Sequence, residues 1–513
     1  LQKSNNAIVQ NCRFIKPEEP SQSVAIYAGK GSLICNNYFE GWHKAVHSEV
    51  QSSSTISVMD NVFINKPGIT DLYFVNITSS NAILNGNMFK NGKISNSSEV
   101  LTITKNVFEN ATLNIYHPSE IFENVFISTI VENKSTGILD VSANYWGGNK
   151  PTLDTSKFIF DSWFTTYDDS TKTLGGLTFK DNMAQIFVDC NSQSEGDGTK
   201  DNPYKTISEA LSNVKYGQVI HVAAGTYDEE VLITSEIRNV TILGSNSEND
   251  ANGKTWNQSG TILTNGISIT THGTHENLNP TIVDGLTIKG FDFKNKGFVI
   301  VGWWENGSIS NITIENNRFT GIDDGNNAAI HFNTSSQMAV DNITIKYNLI
   351  ENIGSYGNSP SGISISSAKG TVIIEGNWIK NTYHNSIQVF NQSSGKLMIQ
   401  NNHLENWDYD QANGGRAFRF EYMDLDEIKI YLNSFQKVKL DGDDLGSTYL
   451  KITYSNTHIS ASGNYWNGMN PTVDTFPILS ECESTIEINS WYTQYDPESN
   501  TLSGLEPDIP GVV

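Results

Sequence analysis

The stretch Ile312-Thr-Ile-Glu-Asn-Asn-Arg-Phe319 decides the fold. Ile312 and Ile314 alternate with polar residues, the period-2 pattern of a strand with one buried face. Asn317 interrupts the alternation and Phe319 resumes the apolar side. Asparagine tolerates the left-handed backbone of a sharp bend and can bond nearby backbone groups through its amide. The stretch therefore reads as strand, corner, strand, with the bend expected at Asn317.

The unit recurs with Asn348, Asn377, Asn402, Asn433 and Asn464 at the corner, followed two residues later by Ile350, Ile379, Leu404, Phe435 and Trp466. The corners advance by 31, 29, 25, 31 and 31 residues. A strand-and-turn repeat of this length is a solenoid. The fold class is all-β, a right-handed parallel β-helix, with the corner asparagines stacked as an amide ladder. An earlier series runs through Asn37, Asn61, Asn87, Asn106, Asn124 and Asn144, with Cys12 at the corner of a still earlier coil. Two tandem modules are expected. Residues 1–178 read as the rear part of a first β-helix whose front is missing, and 179–513 as a complete second one.

Both modules finish alike. Asn144–Asp154 reads NYWGGNKPTLD and Asn464–Asp474 reads NYWNGMNPTVD; WFTTYD from Trp163 and WYTQYD from Trp491 follow. Such endings suit a cap over the last coil, which otherwise exposes backbone and core. A sugar-stacking role for Trp146 and Trp466 is the rival reading. At the start of the second module, Asn202 reads as an N-cap with Pro203 at the first helical position. Tyr204, Ile207, Leu211 and Val214 then share one face of a short capping helix. The junction near 178–185 lacks the Gly/Ser or Pro run of a flexible tether.

Composition narrows function. The chain has 513 residues, 17% of them charged, and a net charge of −23. That balance excludes a basic nucleic-acid footprint and disfavours docking on anionic lipid. No apolar run is long enough for a membrane-spanning helix. Cys12, Cys35, Cys190 and Cys482 form no metal-binding pattern. A Cys12–Cys35 bridge between successive coils and unpaired thiols are both open. Eleven Asn-x-Ser/Thr sequons permit glycosylation without arguing for it.

The run DGTKDNPYKTISEAL…GQVIHVAAGTYDEEV…VTILG resembles the amino-terminal segment of pectin-lyase-like right-handed parallel β-helix proteins. The NYWGG and NYWNG endings look like those of large β-helix-repeat, adhesin-like surface proteins of gut methanogens and anaerobic bacteria. The resemblance implies an extracellular, cell-surface protein, non-catalytic, a stalk or adhesin with a host or microbial glycan or protein as partner. Neighbouring β-helix modules of a longer chain are further expected partners. The same superfamily contains polysaccharide lyases and hydrolases, which is the alternative.

A second strand of each coil carries the candidate chemistry. His331, Ser364, Gln388 and Arg419 should stack on one outer face, with Glu421 beside Arg419. If the protein is an enzyme, Arg419, Glu421, His331 and Asp410 are the candidates; a polar solvent face is the plainer reading. Trp303, Trp304, Trp407 and Tyr409, in loop-like stretches, are the candidate ligand-stacking rings, and gap-filling is their other explanation. No cofactor is required. A weak calcium candidate is Asp441, Asp443 and Asp444, with solvated acidic turns the alternative for these and for Asp197, Asp201, Asp323 and Asp324.

Overall fold

Alternating apolar residues put one face of each short strand inside, and each coil stacks its strands in parallel on those of the next. The computed structural model describes the chain except residues 1–3, 17–22, 50–51, 67–72, 79, 97–100, 181–183, 194–195, 235, 248–258, 272–280, 303–306, 326–327, 356–359, 393, 408–414, 426, 437–449, 454, 456, 469–470, 472–484, 498 and 508–513. It divides into two compact units, Leu1–Ala184 and Gln185–Val513. The division lies a few residues beyond the expected 178/179 boundary, because Thr173–Phe179 folds back as the last strand of the first unit.

Each unit is a parallel β-helix with three long sheets. In the second unit, the first sheet holds strands that precede the corner asparagines, such as Gly307–Glu315 and Val340–Lys346. The second sheet holds those that follow, such as Arg318–Thr320, Leu349–Ile353, Trp378–Thr382 and His403–Trp407. The third sheet includes Ile330–Thr334, Ile363–Ser366, Ile387–Phe390 and Phe418–Glu421. Pairing is parallel throughout these sheets except at the closing hairpins Ser162–Asp168/Thr173–Phe179 and Ser490–Asp496/Thr501–Pro507.

The asparagines form two buried ladders. The amide of Asn317 donates to Asn348 Oδ1 at 3.3 Å, and the four steps onward to Asn464 measure 2.9, 2.9, 2.9 and 3.0 Å. In the first unit the steps from Asn37 to Asn144 measure 3.0, 3.0, 2.9, 3.0 and 3.0 Å. Each carboxamide oxygen also accepts the backbone N–H of the preceding ladder residue, so buried backbone and side-chain groups satisfy each other. The backbone N–H of Cys12 donates to Asn37 Oδ1 at 2.9 Å, which confirms its corner position.

The bend itself falls one residue earlier than expected. Asn316, Tyr347, Gly376, Asn401, Leu432 and Gly463 carry the positive φ, from 50 to 67°, and the ladder asparagines do not. The side chain of the ladder residue has to point inward, which extended backbone allows; the residue before it takes the left-handed turn.

Two residues beyond each ladder position lies an inner column. In the first unit it is a continuous ring stack, Phe14, Phe39, Phe63, Phe89, Phe108, Phe126 and Trp146, with centroids 4.4–5.2 Å apart. In the second it ends with Trp466 stacked 4.5 Å from Phe435 and fully buried. The two tryptophans therefore finish the core column. Trp466 has no exposed face to offer a sugar.

The capping helix is Ile207–Asn213, with Thr206 and Glu209 forming a reciprocal capping box. Asn202 is not its cap. Tyr204 is held extended instead, donating its N–H to Phe187 O at 2.9 Å and accepting from Asp189 N–H at 2.8 Å. Ile207, Ala210 and Leu211 are buried against the first coils. Cys12, Cys35 and Cys190 are free thiols, and Cys482 lies outside the described residues. Gln10, not Cys12, is the register partner of Cys35, so the two thiols sit on different levels of the coil.

Sequons also have structural duties. Asn311 and Asn342 lie at left-handed positions of one corner. Asn342 Nδ2 donates to Asn311 Oδ1 at 3.2 Å, and Asn311 Nδ2 to Asp284 Oδ1 at 2.6 Å.

Candidate functional site

Register places His331, Ser364, Gln388 and Arg419 side by side on the outer face of the third sheet, as their spacing implies. Gln388 Nε2 donates to Ser364 Oγ at 2.8 Å, and Asn385 Nδ2 donates to Gln388 Oε1 at 2.9 Å. Burial pushes the His331 imidazole down to about 4, so it is neutral at physiological pH. Arg419 Nε and Nη2 both donate to Glu421 Oε1, at 2.9 and 2.8 Å, and the guanidinium lies 5.6 Å from the Phe390 ring centroid.

This strip can present hydroxyl, amide and guanidinium groups to a sugar. Proton abstraction asks more of it: a base and a charge stabiliser that converge on substrate, not on each other. Among the described residues, Glu421 is directed to Arg419 on its own strand. Asp410 lies outside the described residues, as do Trp303, Trp304, Tyr409, Asp441, Asp443 and Asp444. Among the described residues no group of three His, Cys, Asp or Glu side chains is arranged to hold a metal ion. Asp197 accepts from Thr199 N–H and Oγ1 at 3.0 and 2.7 Å; those bonds hold its carboxyl below the usual range.

Trp407 is not a surface ring. It is fully buried, edge-on to Phe435 at 6.5 Å. Asn406 before it has φ +52°, which shifts the in-out alternation by one residue and turns Trp407 into the core.

The sequence reading missed a second polar surface, on the outer face of the second sheet. Arg318 bonds Glu351 at 2.7 Å and approaches Asp292 at 3.5 Å; Lys380 bonds Glu351 at 3.0 Å. Burial alone would raise the Glu351 pKa, but the hydrogen bonds and charges of Arg318 and Lys380 outweigh it and hold the carboxylate low. Asp292 fares differently. It is almost fully buried, Arg318 is spent mainly on Glu351, and burial raises its pKa despite Arg318 and Lys294.

Further along, His403 Nδ1 lies 2.7 Å from Ser434 Oγ and Nε2 lies 3.6 Å from Glu405. Tyr495 of the closing hairpin stacks on the His403 ring at 4.9 Å. The register equivalents in the first unit are Val107 and Val125, both buried, with Tyr167 against Tyr145 at 5.8 Å. The WFTTYD and WYTQYD motifs therefore add a last strand and lay a tyrosine back over this face. The available signal was the residue one or three places after each ladder asparagine.

Asp292→Asn is expected to raise the melting temperature at pH 7. A carboxyl whose folded pKa is raised contributes its stability below its unfolded pKa of about 3.9, and loses it as pH rises through the folded value. The gain over wild type should shrink towards pH 3. Calorimetry across that range checks it, and a lower melting temperature for Asp292→Asn at pH 7 would show that the ion pair outweighs burial.

Residues 190–448 match the family described as "Protein of unknown function (DUF1565)". The uncharacterized protein YwoF of Bacillus subtilis (strain 168) is 23% identical over 158 residues, which cover 28% of this chain. The match spans only 30% of that relative's length. Similar solved structures include a variant of the PL6 family alginate lyase AlyGC, 11% identical, covering 94% of this chain and 77% of that one, with a TM-score of 0.33. Pectate lyase Pel9A is 11% identical over 60% of this chain and 78% of its own, TM-score 0.27. The GH136 lacto-N-biosidase from Eubacterium ramulus is 12% identical over 60% and 67%, TM-score 0.29.

Proposed function

The chain belongs to the DUF1565 family, a family of parallel β-helices, and from that premise we propose that it is a non-catalytic extracellular surface protein of the adhesin-like kind, whose second unit binds glycan. The observation that carries the reading is the Arg419–Glu421 pair. Both guanidinium bonds end on a single carboxylate of the same strand, leaving the pair to act as a polar contact for sugar hydroxyls. Repetition of one scaffold in two units, each closed by a folded-back hairpin, also suits a structural protein. Among the described residues no helix is long and apolar enough to cross a membrane.

A glycan array probed with the chain tests the binding half of this reading. Retention on a subset of glycans is expected. Absence of retention on every glycan would refute it. The alternative, a polysaccharide lyase or hydrolase acting across the outer face of the third sheet, is favoured by the alignment of His331 and Arg419, three strands apart, in one column of that face, with Glu421 beside Arg419.

A further inference from the structure

The outer face of the second sheet has opposite chemistry in the two units. In the second unit it carries Asp292, Arg318, Glu351 and Lys380, joined by ion pairs. In the first, parallel register sets Tyr38, Val62, Met88, Val107, Val125 and Tyr145 in one outer column. A second column, two residues on, reads Ile15, Glu40, Ile64, Lys90, Glu109 and Ile127. The phenylalanine stack lies between them and points inward, so none of these side chains belongs to the core of the solenoid. The same scaffold carries charges here in the second unit, so folding does not impose the apolar residues of the first.

The closing hairpin covers one end of this strip, where Tyr167 lies 5.8 Å from Tyr145. Elsewhere Tyr38, Val62, Ile64 and Met88 are half-buried, and Ile15 and Ile127 are 45% and 38% exposed. Charge on the strip cancels. Lys90 pairs with Glu109 at 2.8 Å; the Tyr38 hydroxyl donates to Glu40 at 2.9 Å, and Arg13 lies 4.8 Å from the Tyr38 ring centroid. Two copies of a chain with net charge −23 repel over much of their surface and approach at least cost where charge is balanced.

We propose that this strip is a self-association surface, on which two copies of the chain pack their first units face to face. The sheets would lie about 10 Å apart around a two-fold axis along the strands, which lays the Tyr38-to-Val125 column over its own copy in reverse order. From Ile15 to Ile127 the strip is about 24 Å long, at about 4.8 Å per coil. Two such faces bury on the order of 1,000 Å² in total, the lower limit for a specific interface. A highly charged partner gains nothing where the charges sum to zero. A long, flat apolar face is matched by another, and a second copy brings one by symmetry. The inference is independent of the glycan-binding reading.

Sedimentation equilibrium of the intact chain tests it. A monomer–dimer equilibrium with a dissociation constant on the order of 10 µM is expected. Ile64→Glu and Met88→Glu together should raise that constant more than about ten-fold, because each sets a carboxylate against an apolar face. Ile15→Glu, at the most exposed apolar position of the strip, should weaken the dimer too, and decides the matter if the double variant melts early. Thr320→Glu, on the equivalent face of the second unit, should leave the constant unchanged. A wild-type chain that stays monomeric would overturn the proposal, whatever other protein or lipid surface the strip then took up. So would a dimer of full strength in Ile15→Glu and in a double variant of normal melting temperature, which would place the contact on another face.

Discussion

Asn402→Ala should destabilise the second unit by about 3 kcal/mol, within the range of roughly 1–3 kcal/mol expected for each buried group left unpaired. Asn402 Oδ1 accepts both the backbone N–H and the Nδ2 of Asn377, each at 2.9 Å. Its own Nδ2 donates to Asn433 Oδ1 at 2.9 Å and to Ile374 O at 2.8 Å. Alanine strands donors and acceptors on both neighbouring coils where water cannot reach. The control is Asn381, whose exposed amide donates to Asn352 Oδ1 at 3.0 Å in a second, solvent-facing series. Asn381→Ala should cost less than about 1 kcal/mol, since water replaces the lost partners. Calorimetric midpoints check the pair, and equal shifts would show that burial of the ladder adds nothing.

Trp466→Ala should cost about 3–5 kcal/mol, as removal of a buried aromatic ring does elsewhere. The ring is fully buried and nearly parallel to Phe435, at 6°. Its loss opens a void at the end of the core column, beside the closing hairpin that pairs with Asn464–Trp466. The expected readout is a lower unfolding midpoint in urea. An unchanged midpoint accompanied by lost glycan binding would return Trp466 to the role of a sugar platform.

The ladder was legible because a carboxamide that both donates and accepts recurs at the corner of coil after coil, and the spacing repeats with it. The position of the bend was not. Tyr347, Leu432, Lys105 and Ala143 all sit at positive φ, between 53 and 58°. Neighbouring strands and the ladder hold the corner, so residue type does not have to. Side-chain preference is overridden there.

The helix starts at Thr206 with Glu209 and not at the expected Asn202-Pro203, because the backbone of Tyr204 is committed to pairing with Phe187 and Asp189. Trp407 was misplaced for a similar reason, since one left-handed residue reverses the alternation after it. On the candidate sites, the third-sheet column of His331, Ser364, Gln388 and Arg419 followed from strand parity. The Asp292–Arg318–Glu351–Lys380 network did not, because coils of unequal length hide which charges become neighbours until the register is known.

The central claim, that the Arg419 face binds without turning substrate over, meets its most direct test in one measurement. The intact chain is incubated with pectate, alginate and hyaluronate, with and without added calcium, and the polymer length distribution is followed by size-exclusion chromatography over many hours. The account predicts unchanged distributions for wild type, indistinguishable from Arg419→Ala. Shortening of any polymer by wild type that Arg419→Ala abolishes would contradict it.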